Sequence, residues 1–257
     1  MQSIVIVERS DAVACVTMNQ PGRRNALAPE MREALTETLE RLACDVDCRA
    51  IILAGTDRSF CAGGDLSSLP AGDALASRKR MTLAHRLLRT ITDMPKPLIA
   101  AVDGTAFGAG MGLALACDYV LCSERARFCT AYSNVGLMAD MGLLWSLPQR
   151  VSAGQVRRLL YTSAVVDGEE ALRLGLADQL VHSDELQQAA LDLAAQFAAA
   201  PPLAVGLTKA ALARLPGSLD TVMGLELDGQ LQLFSSADFT EGRHAFLEKR
   251  RPYFQGR

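Results

Sequence analysis

Two glycine-rich segments, each following an apolar run, hold the residues best suited to chemistry. The first is Ser59-Phe60-Cys61-Ala62-Gly63-Gly64-Asp65-Leu66. The second is Asp103-Gly104-Thr105-Ala106-Phe107-Gly108-Ala109-Gly110-Met111-Gly112. Small residues let the backbone approach a ligand closely and leave N–H groups unobstructed. A helix opening near Gly108–Gly110 would aim free N–H groups at whatever occupies the loop. Two such groups converging on one oxygen make an oxyanion hole able to hold a thioester enolate. The same glycines equally suit tight strand–helix packing, and spacing alone leaves both readings open. The G-x-x-x-G-x-G-x-G order departs from the G-x-G-x-x-G dinucleotide fingerprint.

Other common chemistries are missing. The chain has no G-x-S-x-G elbow, no H-E-x-x-H and no G-x-x-x-x-G-K-[ST] phosphate loop. His85, His182 and His244 stand apart from any matching Ser, Cys or metal ligand and read as surface or satisfied histidines. Cys44 and Cys48 lack a second pair that would complete a zinc site. No metal and no separate cofactor is expected.

The elements that must carry the two loops follow from periodicity. Ile4–Glu8 and Val13–Met18 are β-branched runs around Ser10-Asp11, a hairpin pattern. Pro29 opens a helix whose Met31, Leu35, Leu39 and Leu42 recur at helical spacing. Arg49–Ala54 and Pro97–Val102 read as apolar strands, with a helix over Asp73–Asp93 between them. Tyr119–Cys122 and Ala126–Cys129 read as further short strands. Beyond residue 142 the pattern is helical almost throughout, over Gln155–Tyr161, Gly168–Leu174, Glu185–Ala199, Leu203–Leu212, Thr221–Phe234 and Phe239–Arg250. The prediction is an α/β core followed by a helical C-terminal part.

Composition narrows the function classes. Of 257 residues 49% are hydrophobic, ample for a core, and the net charge of −3 does not suit a nucleic-acid surface. The longest apolar stretch, Gly104–Cys117, is too short for a membrane span, which takes about 20 residues. The N-terminus lacks a signal-peptide pattern and the final Gln255-Gly256-Arg257 is no peroxisomal address. Seven scattered cysteines, read as reduced and buried, point to the cytoplasm.

Taken in order, several segments resemble the enoyl-CoA hydratase/isomerase, or crotonase, superfamily. They are Arg23-Arg24-Asn25-Ala26-Leu27, FCAGGDL (60–66), AVDGTAFGAGMGLALACD (101–118), GLMADMGLLWSLPQRV (136–151) and EGRHAFLEKRRPYF (241–254). The resemblance implies a ββα spiral acyl-CoA-binding core over 1–195 and a helical oligomerisation region over 196–257. It implies an acyl-CoA thioester as partner, a role in fatty acid metabolism, and a homotrimer or dimer of trimers. Coenzyme A enters as part of the substrate. The family's two oxyanion donors carry over to the amides of Gly64 and Ala109, with Gly63 and Gly108 in the same loops. Coenzyme A contacts carry over to Arg24, Ala26, Ala62, Asp65 and Leu66. Phe246 and Lys249 match positions that reach a neighbouring subunit's ligand.

The departures from the family pattern decide the reaction class. Hydratases of this family use two glutamates, and their positions here are Gly112 and Tyr132. One acid remains nearby, Asp140, where the family's isomerases often place a lone carboxylate. A single carboxylate suffices for an allylic proton shift through a dienolate. Asp140 also suits an N-cap for the helix containing Leu143–Leu147, and Tyr132 suits either a hydrogen bond into the acyl pocket or plain packing. The expected activity is an enoyl-CoA isomerase type, shifting a double bond or rearranging an activated acyl or aryl group. The alternatives are a hydratase with atypical groups, a hydrolase or decarboxylase on the same scaffold, and an inert acyl-CoA-binding trimer.

Overall fold

The computed structural model describes residues 3–68 and 72–257. Strands β1 (Val5–Ser10) and β2 (Val13–Met18) form the expected antiparallel hairpin, with Val5 opposite Met18. Helix α1 (Pro29–Cys44) opens on a proline, whose missing N–H costs nothing in a first turn. Its stripe of Met31, Leu35, Leu39 and Leu42 is buried.

A strand–strand–helix unit then occurs three times. The first is β3 (Ala50–Gly55), β4 (Ser59–Cys61) and α2 (Ala74–Asp93). The second is β5 (Leu98–Val102), β6 (Thr105–Phe107) and α3 (Ala109–Leu115). The third is β7 (Tyr119–Ser123), β8 (Arg127–Cys129) and α4 (Leu143–Arg150). The core closes with α5 (Ala153–Thr162), β9 (Val166–Asp167), α6 (Gly168–Leu174), β10 (Gln179–Val181) and α7 (Leu186–Ala198).

Within each unit the two strands go to different layers. The longer ones build a six-stranded sheet, β1-β2-β3-β5-β7-β10, and the shorter ones a four-stranded sheet, β4-β6-β8-β9. Successive strands from β2 onward in the large sheet pair in parallel, so each must be reached by a crossover. The result is a spiral of ββα turns. Both faces of the middle of the large sheet are covered, which is why β3 and β5 are continuous apolar runs. Ile51, Leu53, Leu98 and Ala100 pack toward α1 and α2. Ile52, Ile99 and Leu121 pack against Leu186, Ala190 and Ala194 of α7.

Three helices follow: α8 (Pro202–Leu212), α9 (Leu219–Phe234) and α10 (Ala237–Glu248). Lys209 ties α8 to the core, donating to Asp118 Oδ2 at 2.6 Å and to the Lys96 carbonyl at 3.0 Å. Helix α9 buries none of its residues, and Met223, Leu227, Leu231 and Phe234 lie exposed. The 195/196 border between the two expected regions falls in the last turn of α7. Among the described residues no single helix is long and apolar enough to cross a membrane.

Candidate active site

The first glycine loop is held in place by the segment that precedes α1. Asn25 is fully buried in left-handed backbone. Its Oδ1 accepts from the Gln20 amide at 2.8 Å, while Nδ2 donates to the carbonyls of Ser59 at 2.7 Å and Thr56 at 3.2 Å. The Ala62 amide donates to the Arg24 carbonyl at 3.0 Å, and Leu27 to Gly63 at 2.7 Å. Arg24, Ala26, Ala62 and Gly63 therefore share one small region. Asp65 turns back on its own loop: Oδ1 accepts from the Ser67 hydroxyl at 2.6 Å and the Ser67 amide at 3.0 Å. Those bonds, helped by Arg23, hold the Asp65 carboxyl below the usual carboxylate range. Leu66 beside it is exposed.

The two glycine segments lie back to back. A Cβ at Gly63 would stand 2.7 Å from the Phe107 carbonyl oxygen and 3.6 Å from the Ala109 nitrogen. One at Gly110 would stand 2.3 Å from the Cys61 carbonyl oxygen. The packing reading of the glycines is thus correct at these two positions. The other reading requires free amides, and among the described residues neither the Gly64 nor the Ala109 amide meets a backbone carbonyl. Gly108, at φ 50°, donates instead to the Cys129 carbonyl at 2.8 Å and opens α3.

Asp140 faces this region and does not cap α4. The N-cap of α4 is Gly142, and only the backbone oxygen of Asp140 meets that helix, accepting from Leu143 at 3.1 Å. The carboxylate itself accepts from the Tyr132 hydroxyl at 2.5 Å through Oδ1. Its Oδ2 lies 3.7 Å from Arg80 Nη1. The Asp140 side chain keeps 14% exposure. Burial, and then the neighbouring Asp140 charge, push the Tyr132 phenol far above its ordinary range, so it remains a donor at any working pH.

Gly112 lies tight against the Asp140 segment. A Cβ there would stand 2.7 Å from Met141 Cβ and 2.8 Å from the Met141 carbonyl oxygen. Met141 and Gly142 both adopt left-handed backbone, at φ 50° and 70°, folding the Asp140 segment over α3. A non-glycine residue held so costs about 1–3 kcal/mol. The backbone that presents Asp140 therefore occupies the space a side chain at 112 would need. Gly112→Glu should lower the thermal midpoint and leave crotonyl-CoA hydration at background, measured as loss of conjugated-thioester absorbance.

Two residues escaped the sequence reading. Arg32 of α1 is buried, 1% exposed, and its Nε and Nη2 have no hydrogen-bond partner among the described residues. Arg80 of α2 places Nη2 2.9 Å from where a Cβ on Gly64 would be, and Arg32 places its own at 3.9 Å. A signal existed: each arginine falls in phase with the buried residues of its helix, Arg32 with Leu35 and Leu39, Arg80 with Ala84, Leu87 and Ile91. Phe246, 83% exposed, and Lys249, the left-handed C-cap of α10, lie on the C-terminal helices, where α10 packs on α9. Among the described residues no group of three His, Cys, Asp or Glu side chains is placed to hold a metal.

A two-layer ββα spiral with α-helices at its end is the architecture of the crotonase-fold enzymes. Known proteins agree. A family model described as Enoyl-CoA hydratase/isomerase matches residues 8–257. A probable enoyl-CoA hydratase of Rhodobacter capsulatus is 38% identical over 97% of both chains. The 1,2-epoxyphenylacetyl-CoA isomerase of Escherichia coli is 35% identical over 100% of both. The crystal structure of a putative enoyl-CoA hydratase from Streptomyces coelicolor matches with a TM-score of 0.93 and 36% identity, covering 99% of this chain and 95% of that one. The chain belongs to the enoyl-CoA hydratase/isomerase family. It is an enzyme of that family, and membership implies an acyl-CoA thioester as its substrate.

Proposed function

We propose that this enzyme moves a double bond within an enoyl-CoA thioester, using Asp140 as its single proton carrier. Asp140 takes a proton from C2 of a 3-enoyl thioester, and the electron pair spreads into a dienolate. The amides of Gly64 and Ala109 hold the oxygen that gains the charge. Asp140, now a carboxylic acid, returns the proton at C4, leaving the conjugated 2-enoyl thioester. No atom is added or lost. Tyr132 and Arg80 fix the carboxylate through opposite oxygens. Arg24, Ala26, Ala62, Asp65 and Leu66 would seat the coenzyme A portion, with Phe246 and Lys249 of a second subunit.

One observation supports the reading: the Met141 backbone fills the space beside Gly112 while the Asp140 carboxylate is held by the Tyr132 hydroxyl, at the two positions where the resemblance implies a hydratase would carry its glutamates. The relatives' names leave hydration as the competing activity. 3-Hexenoyl-CoA should gain conjugated-thioester absorbance with the enzyme. No change there, with loss of absorbance from crotonyl-CoA, would favour the hydratase instead.

The assembly belongs to the same proposal. Met223, Leu227 and Leu231 form an uncovered apolar face along α9, which a homotrimer or dimer of trimers would bury. Sedimentation should give the mass of three or six chains. A fully active 27.5 kDa monomer would contradict it.

A further inference from the structure

The charges around Asp140 do not balance. Asp140 supplies one negative charge, with Oδ1 accepting from Tyr132 and Oδ2 standing 3.7 Å from Arg80 Nη1. Arg32 stands in the same cluster, near Arg80, Asp140 and Tyr132, so two guanidinium groups share one carboxylate, and among the described residues Arg32 Nε and Nη2 meet no hydrogen-bond partner. A guanidinium keeps its proton in a protein, so it cannot escape the cost of burial by neutralising. A buried ion without a partner is strongly unfavourable, and buried charges are otherwise paired. Its two unpartnered donors, Nε and Nη2, share one edge of the guanidinium plane. That edge is the fork that grips a carboxylate with two parallel hydrogen bonds.

The position of the fork matters as much as its charge. Both arginines reach to within a few ångströms of the space over Gly64, on the side toward Asp140. Arg80 is 19% exposed, so it borders the open part of the site while Arg32 lies behind it. An apolar acyl pocket has no use for two guanidinium groups. We propose that the acyl group this enzyme accepts carries a carboxylate of its own, seated on Arg80 and Arg32. The substrate class is then the mono-coenzyme A thioesters of unsaturated dicarboxylic acids. The proposal rests on the reading of the Gly64–Asp140 region as the acyl site. It does not require the proton transfer assigned to Asp140.

Saturated thioesters test the seat without any chemistry. Calorimetric titration would compare adipoyl-CoA with hexanoyl-CoA, and glutaryl-CoA with valeryl-CoA, on the full-length protein. For at least one length the dicarboxylic member should bind tenfold or more tightly than its partner. That ratio should collapse toward one in Arg80→Met, with melting curves confirming that the variant folds. Arg32→Lys keeps the charge but removes the fork, and should lose part of the ratio. Equal or weaker binding of both dicarboxylic thioesters to the natural protein would overturn the proposal. A preference that survived intact in both variants would also overturn it. If the preference is found but 3-enoyl thioesters are not isomerised, the carboxylate seat stands and the isomerase reading fails. If isomerisation is found without the preference, the seat alone fails.

Discussion

Asp140→Asn should fold and bind coenzyme A thioesters while turning over 3-hexenoyl-CoA about 10²–10⁴-fold more slowly, the usual worth of a positioned acid–base group. The amide keeps an oxygen for the Tyr132 hydroxyl, so the local hydrogen bond can persist. It cannot take up and return a proton. Arg80 loses its carboxylate, and the neighbouring Arg32 loses a nearby negative charge. The melting midpoint should therefore fall modestly, and it must be recorded beside the rate. Near-full turnover by a folded Asp140→Asn enzyme would remove Asp140 from the mechanism.

Ala109→Pro should lower turnover roughly 10²–10³-fold, the cost of one oxyanion donor, or about 2.7–4 kcal/mol. The variant replaces the N–H with the Cδ of the proline ring. Ala109 is the first residue of α3, where proline is well tolerated, and its amide meets no backbone carbonyl among the described residues. Proline also constrains the residue before it toward extended backbone. Gly108 already sits at φ 50° and ψ −118°, the mirror image of such a conformation, which a residue without a Cβ adopts freely. Thioester binding should weaken less than turnover, because the ground-state carbonyl carries less charge than the dienolate. Ala109→Gly keeps the amide and should stay near the natural rate. Normal turnover by a folded proline variant would show that no N–H at 109 holds the enolate.

The long elements were readable because their patterns repeat. The helix predicted over Asp73–Asp93 is α2, and Asp73 is its N-cap, accepting from the amides of Leu75 and Ala76. The strands β4 and β6 were not readable. Three residues each, they are too short to show a period, and they run straight into the glycine loops. β9 and β10 were lost in the same way inside a stretch that reads as helical. Strand β10 nevertheless completes the large sheet, pairing Leu180 with Cys122.

The site shows the same division. The resemblance of the glycine motifs named Gly64 and Ala109 as donors, whereas the contact between the two loops, Gly63 against Phe107, is a tertiary fact. Capping and catalysis were both open to Asp140 in the sequence. Only the backbone turn at Met141 and Gly142 directs its carboxylate to Tyr132 and leaves the cap to Gly142. Arg32 and Arg80 lie 48 positions apart on different helices, and no local pattern could announce that they meet over Gly64.

The most direct test of the central claim is product analysis by mass spectrometry in ¹⁸O-labelled water. The natural enzyme would be given 3-hexenoyl-CoA and, separately, crotonyl-CoA. A lone carboxylate that only relocates a proton yields 2-hexenoyl-CoA of unchanged mass, free of ¹⁸O, and leaves crotonyl-CoA as it was. Rapid formation of ¹⁸O-labelled 3-hydroxyacyl-CoA from either thioester would mean that the site activates water, and the single-carboxylate isomerase would be the wrong mechanism.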